Sequence, residues 1–136
     1  MIYGFQGKYR FLSNFWIEPD GSHVEGEYQA AKCANTEDVE KFKGLTPGQA
    51  KRLGRNIKVV DYWDSAKVTI MRNLVVEKFK NPKMAEMLLA TGDEEIVEGN
   101  TWGDKFWGQV NHVGQNHLGK ILMEVRKQLK EHSNES

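Results

Sequence analysis

The stretch "DYWDSAKVTIMRNLVVEKFKN", residues 61–81, decides how the chain is read. Trp63, Ala66, Ile70, Leu74 and Val75 recur at helical spacing, so it predicts an amphipathic helix with that stripe inward. Beyond it, "NPKMAEMLLATG" brackets a second helix between Asn81–Pro82 and Gly92. "EEIVEG" is short and reads as extended, and "TWGDKFWGQVNHVGQN" reads as a loop. "HLGKILMEVRKQLKEH" closes the chain as an amphipathic helix with Leu118, Ile121, Leu122, Val125 and Leu129 inward, and residues 130–136 read as a frayed tail. Toward the N-terminus, "TPGQAKRLGR" sets Thr46 as N-cap, Pro47 at N1, Gln49 at N3 and Gly54 as the C′ stop. "NTEDVEKFKGL" offers Asn35 or Thr36 as a cap with acids in the first turn. "VEGEYQAAKCAN" holds good helix formers and one glycine. The first 22 residues carry many aromatics and the turn signature "EPDGS", and "YRFLSNFWIE" is expected to supply a short strand or two. The fold class expected is α+β: a predominantly helical single domain over residues 1–136, with a small β component near the N-terminus and around Ile96.

Composition narrows the chemistry. A chain of 136 residues with 39% hydrophobic, 10% aromatic and 28% charged side chains supports one hydrophobic core without a metal or disulfide staple. Nineteen basic and nineteen acidic residues cancel, so no global field favours bulk nucleic-acid binding. The single cysteine, Cys33, has no internal disulfide partner and points to a reducing compartment. No apolar run has the length of a membrane span, and the start lacks a signal-peptide h-region. A soluble cytoplasmic protein is therefore expected. Phosphate-cradling glycine motifs, HExxH and GxSxG are all absent from the sequence. The four histidines, His23, His112, His117 and His132, form no ligand pattern, so no metal is expected.

Carboxylate, amine and aromatic chemistry remains. In "VEGEYQAAKC", helical geometry aligns Glu25, Gln29 and Lys32 in one row, with Tyr28 flanking and Glu27 pointing elsewhere. That row fits a solvated face. It also fits a carboxylate that moves protons beside an amine able to attack carbon. In "VEGNTWGDKFWGQVNHVGQNHLG", Glu98, Trp102, Asp104, Trp107 and Asn116 crowd into a glycine-rich loop. Its tryptophans either pin the loop to the core or wall a flat ligand. Lys51, Arg52, Arg55 and Lys58 cluster at a helix end, as a solubilising surface or, through Arg55, as a phosphate clamp.

"YRFLSNFW", "VEGEYQAAKC", "PGQAKRLGR", "YWDSAKVTIMRNLVVEKF", "NPKMAEMLLATGDEEIVEGNTWGDKFWG" and "GQNHLGKILMEVR" follow one another in the order of the NADAR (YbiA-like) family. The resemblance covers about residues 5–126 and implies a hydrolase of N-glycosidic bonds. Its substrates would be ribosylamino-pyrimidine 5′-phosphates of riboflavin synthesis or ADP-ribose on guanine bases in nucleic acid. It implies neither metal nor cofactor and no membrane partner. It carries over Glu25, Lys32, Asp104 and Glu98 as catalytic residues. Asn14, Tyr28, Gln29, Trp107 and Asn116 carry over as substrate-binding, and Lys51 or Arg55 is placed at the phosphate. Gly26 and Glu27 depart from the bulkier pair common in the family, which bears on the pocket rim. A non-catalytic sensor of ADP-ribose or another nucleotide is the alternative, and a purely structural module is a third reading.

Overall fold

The computed structural model describes residues 1–134 and is mainly helical, with one short parallel sheet. The chain divides into two compact units. One holds residues 1–13 and 75 onward, and the other holds residues 14–74.

In the first unit, β1 (Ile2–Tyr3) pairs in parallel with β2 (Ile96–Val97), Ile2 opposite Ile96. This is the small β component expected near the N-terminus and around Ile96. The strands expected from "YRFLSNFWIE" are not formed: residues Gly7–Leu12 wind into a 3-10 helix that buries Phe11 and Leu12. Phe11 meets Phe79 edge-on, 6.5 Å between ring centres. Helix α5 (Pro82–Leu89) starts where the sequence says it should, with Asn81 Oδ1 accepting from the N–H groups of Lys83 and Met84. The closing helix, α6 (His117–Asn134), buries Leu118, Ile121, Leu122 and Val125 as expected, while Leu129, also expected inward, is half-buried. It continues through residues 130–134, which the sequence suggested would fray; residues 135 and 136 lie outside the described residues.

In the second unit, α1 (Val24–Ala31) packs on α3 (Pro47–Leu53), with the short α2 (Thr36–Glu40) between them in sequence. The α3 capping box is complete. Thr46 Oγ1 accepts from Gln49 N–H at 3.2 Å, and Gln49 Oε1 accepts from Thr46 N–H at 2.9 Å. Asn35 holds the N-cap position of α2 without a side-chain bond. The stop after α3 differs from expectation, because Gly54 is right-handed (φ −58°, ψ −18°) rather than left-handed.

Helix α4 (Trp63–Lys78) is the long helix expected. Its buried line differs, running through Trp63, Met71, Val75 and then Phe79, while Ala66, Ile70 and Leu74 are half-buried. Steps of four carry this line through Lys67, whose side chain is only 24% exposed. Trp63 and Val75 of the expected stripe lie on this line, whereas Met71 and Phe79 were not part of it.

Candidate active site

The site residues named from the sequence fall into two groups, one in each unit. In residues 14–74, the α1 row forms as the spacing required. Glu25 and Gln29 are both buried, and Gln29 Nε2 donates to Glu25 Oε1 at 2.9 Å. The Glu25 N–H donates to the Asn14 carbonyl at 3.0 Å, and Asn14 Nδ2 reaches Met71 Sδ at 3.5 Å. Asn14 thus fixes the start of the helix that carries Glu25.

An unexpected residue, His23, caps that helix. Its Nδ1 accepts from Gly26 N–H at 2.9 Å, while Nε2 lies 2.8 Å from the Leu45 carbonyl and donates to it. The imidazole lies so close over residue 26 that a Cβ there would sit 2.6 Å from its Cε1. The glycine at 26 leaves the room that the histidine cap occupies. Glu27 points away from the row, into a cleft of about 270 Å³ on the reverse side that is also bounded by His23, Phe42 and Leu45. That cleft contains none of Glu25, Gln29 or Lys32, so it is separate from the row.

Lys32 follows α1 as its C-cap. Its Nζ lies 5.7 Å from the Tyr28 ring centre and 6.0 Å from that of Trp63, and the two rings are 5.0 Å apart. Burial pushes the Lys32 amine below its ordinary pKa; Glu25 opposes this, and Lys67 and Arg55 add to it. Burial pushes the Glu25 carboxyl above its ordinary pKa, against the Gln29 hydrogen bond and the charges of Lys51, Lys32 and His23. The attraction between Glu25 and Lys32 would favour both charged forms, yet desolvation wins at each. The result is an acid held more protonated, and an amine held more neutral, than either would be in water. Lys51 is half-buried, with its Nζ 5.9 Å from the Phe15 ring centre, and Arg55 is exposed. Trp63 and Lys67 belong to this group too. The sequence reading treated Trp63 as core and gave Lys67 no role.

In the other unit, the loop of residues 98–117 is held by two buried asparagines. Asn100, which the sequence reading did not single out, donates through Nδ2 to Glu98 Oε2 and to the Asp104 carbonyl, both at 2.9 Å. Its Oδ1 accepts from Asp104 N–H at 3.0 Å. Asp104 Oδ1 in turn accepts from the N–H groups of Phe106 and Trp107 at 3.0 and 2.9 Å. Asn116 accepts from Glu98 N–H at 2.9 Å and donates to the Ile96 carbonyl at 3.0 Å. Both ends of its amide therefore hold β2, which makes Asn116 a framework residue. Trp107 is half-buried and packs edge-on to Phe106, with ring centres 4.9 Å apart. Trp102 is 62% exposed.

The NADAR domain family profile matches residues 4–130. The chain belongs to the NADAR family. It is 39% identical to N-glycosidase Npun_R5314 of Nostoc punctiforme over 138 residues, covering 90% of this chain and 86% of that protein. It is 34% identical to N-glycosidase YbiA of Escherichia coli over 139 residues, covering 94% of this chain and 86% of that one. It is also 39% identical to riboflavin biosynthesis protein VVA0006 of Vibrio vulnificus over 134 residues, covering 90% of this chain but only 36% of that longer protein. The NMR structure of E. coli YbiA superposes with a TM-score of 0.83 at 33% identity, covering 99% of this chain and 88% of that one. The NADAR resemblance and the helical fold with a minor β part, both read from the sequence, are thereby borne out. The enzyme class implied by the resemblance, hydrolysis of N-glycosyl bonds, agrees with the names of these NADAR relatives. Among the described residues, no three of His, Cys, Asp and Glu converge as metal ligands do, and no helix is long and apolar enough to cross a membrane.

Proposed function

We propose that this protein hydrolyses the C1′–N bond of a phosphorylated ribosyl compound. The observation that carries the proposal is the α1 row: a buried, hydrogen-bonded Glu25 aligned with Lys32, whose amine is desolvated beside Tyr28 and Trp63. Breaking an N-glycosidic bond builds positive charge at C1′ and negative charge on the leaving nitrogen. The protonated Glu25 carboxyl gives its proton to that nitrogen, and the lysine attacks C1′ as the C1′–N bond breaks. The attacking nitrogen loses a proton, which returns to the Glu25 carboxylate. Its lone pair then opens the sugar ring: C1′–O4′ breaks, O4′ takes the proton back from the Glu25 carboxyl, and a Schiff base forms. Water adds across the C=N bond and releases the sugar aldehyde and free Lys32.

The opening step asks the two groups for the protonation states that burial favours, Glu25 protonated and Lys32 neutral. Arg55, Lys51 and Lys67 supply positive charge for a sugar phosphate. The names of the relatives support the bond class; the riboflavin biosynthesis relative favours ribosylamino-pyrimidine 5′-phosphates, with ADP-ribosylated guanine as the second candidate. In the other unit, the half-buried Trp107 is a separate proposed ligand contact, with Glu98 and Asp104 as its neighbouring carboxylates.

The test is parallel incubation of the protein with both substrate types, read by mass spectrometry, with and without borohydride. Free base and sugar phosphate or ADP-ribose are expected, with borohydride trapping the sugar on Lys32. Cleavage with no trapped adduct removes the lysine attack and leaves Lys32 an electrostatic partner. Tight binding of both compounds without product would establish the sensor reading instead.

A further inference from the structure

We propose that Gly54 is a positioning residue for Glu25, acting through Gln29. The inference rests on the catalytic reading of Glu25 given above. A glycine just after a helix is commonly there to turn left-handed. Gly54 is not: at φ −58° and ψ −18° it has a backbone that any residue adopts. What it lacks is used by a neighbour. A Cβ at residue 54 would overlap the Gln29 carboxamide, coming within 2.7 Å of Cδ and closer still to Oε1.

The Gln29 amide is 5% exposed, and its two ends are held differently. Nε2 donates to Glu25, whereas Oε1 is buried without a hydrogen-bond partner. No hydrogen bond fixes the oxygen end, so its place is set by packing against the bare Cα of Gly54. A stranded buried carbonyl is costly, so this arrangement is not the cheapest for Gln29 alone. It delivers the other end of the amide to Glu25. The chain of effect runs from α3, through the missing side chain, to one hydrogen bond on α1.

Because the obstructed group is the far end of a flexible side chain, Gly54→Ala is expected to fold with the amide pushed off its position. Glu25 then loses the donor that favours its ionised form, and its titration moves up. The experiment is a carbon-13 NMR titration of the Glu25 carboxyl in the full chain, for wild type, Gly54→Ala, Gln29→Ala and the double variant. Turnover of both ribosyl substrates is measured on the same samples. The proposal expects the Glu25 midpoint to rise in each single variant and to rise no further in the double. It also expects kcat to fall about tenfold in Gly54→Ala, the size of one lost hydrogen bond to a charged group, with little change in KM. An unmoved midpoint in Gly54→Ala overturns the proposal, and so does a Gly54→Ala shift of full size in the Gln29→Ala background. If Gly54→Ala fails to fold, an unmoved midpoint in Gln29→Ala overturns it equally. A moved midpoint with unchanged turnover keeps the link from Gly54 to Glu25 and refutes the catalytic reading of Glu25.

Discussion

Replacing Asn116 by alanine should destabilise the protein severely, and the size of the effect follows from its contacts. The side chain is 4% exposed, and both ends of its amide are engaged with main chain. Alanine strands the Glu98 N–H and the Ile96 carbonyl together. A buried polar group left without a partner costs about 1–3 kcal/mol, so the pair amounts to roughly 2–6. Asn116 is also left-handed, with φ 53°. Asparagine tolerates that conformation, but a residue with an ordinary Cβ is worse by about 1 kcal/mol. The sum is roughly 3–7 kcal/mol, against a total stability of about 5–15 for an ordinary domain. For a chain of this size it corresponds to a fall in Tm on the order of 10–25 °C. Urea unfolding followed by circular dichroism measures it. Asn116→Gly separates the terms, since it strands the same two groups without the backbone penalty and should be about 1 kcal/mol milder than alanine. Asn116→Asp keeps the acceptor for Glu98 N–H but sets a carboxylate against the Ile96 carbonyl, so it should not rescue. An alanine variant less than about 1 kcal/mol below wild type would refute the assignment of Asn116 to the framework.

Two further outcomes follow from the second unit. Glu25 has its folded-state pKa raised by burial, so the folded state binds more protons than the unfolded chain above the ordinary carboxylate range. The stability it contributes is full below the unfolded pKa and is lost as pH rises through the folded one. Glu25→Gln should therefore be more stable than wild type at neutral pH, and that gain should shrink on acidification; thermal melts across pH 4–8 (about the range where carboxylates titrate) that show a constant difference would sink this account. Thr46→Ala removes the acceptor for Gln49 N–H and should cost about 1 kcal/mol in chemical denaturation.

Local signals were legible in the sequence and long-range ones were not. The capping box at Thr46 and Gln49, the Asn81 cap and the buried face of α6 each depend on residues within a turn or two of one another, and all formed as read. The two-residue strand β1 depends on Ile96, far along the chain, so the β component expected near the N-terminus was placed in "YRFLSNFWIE" rather than at Ile2. The row of Glu25, Gln29 and Lys32 was legible because helical periodicity alone aligns it. Its energetics were not, because desolvation depends on Tyr28 and Trp63 coming together from separate helices.

The α4 stripe shows how the two kinds of information differ. The expected stripe shares Trp63 and Val75 with the buried line but lacks Met71 and Phe79, and the buried line at four-residue steps contains Lys67. A lysine on that line costs conformational freedom and solvation unless something nearby uses its charge. Its neighbours on the line are Trp63, whose ring faces Lys32, and Met71, whose sulfur meets Asn14. Its ammonium lies 3.6 Å from Asp64 Oδ1, and its charge, with that of Arg55, acts to hold the Lys32 amine down. A polar residue that breaks an otherwise apolar helix face is an inconsistency between local pattern and fold, and such inconsistencies concentrate where a protein gives up stability for chemistry. By that reasoning the break at Lys67 belongs with the candidate site proposed on the α1 row. It is a signal present in the sequence that a search for unbroken apolar faces discards.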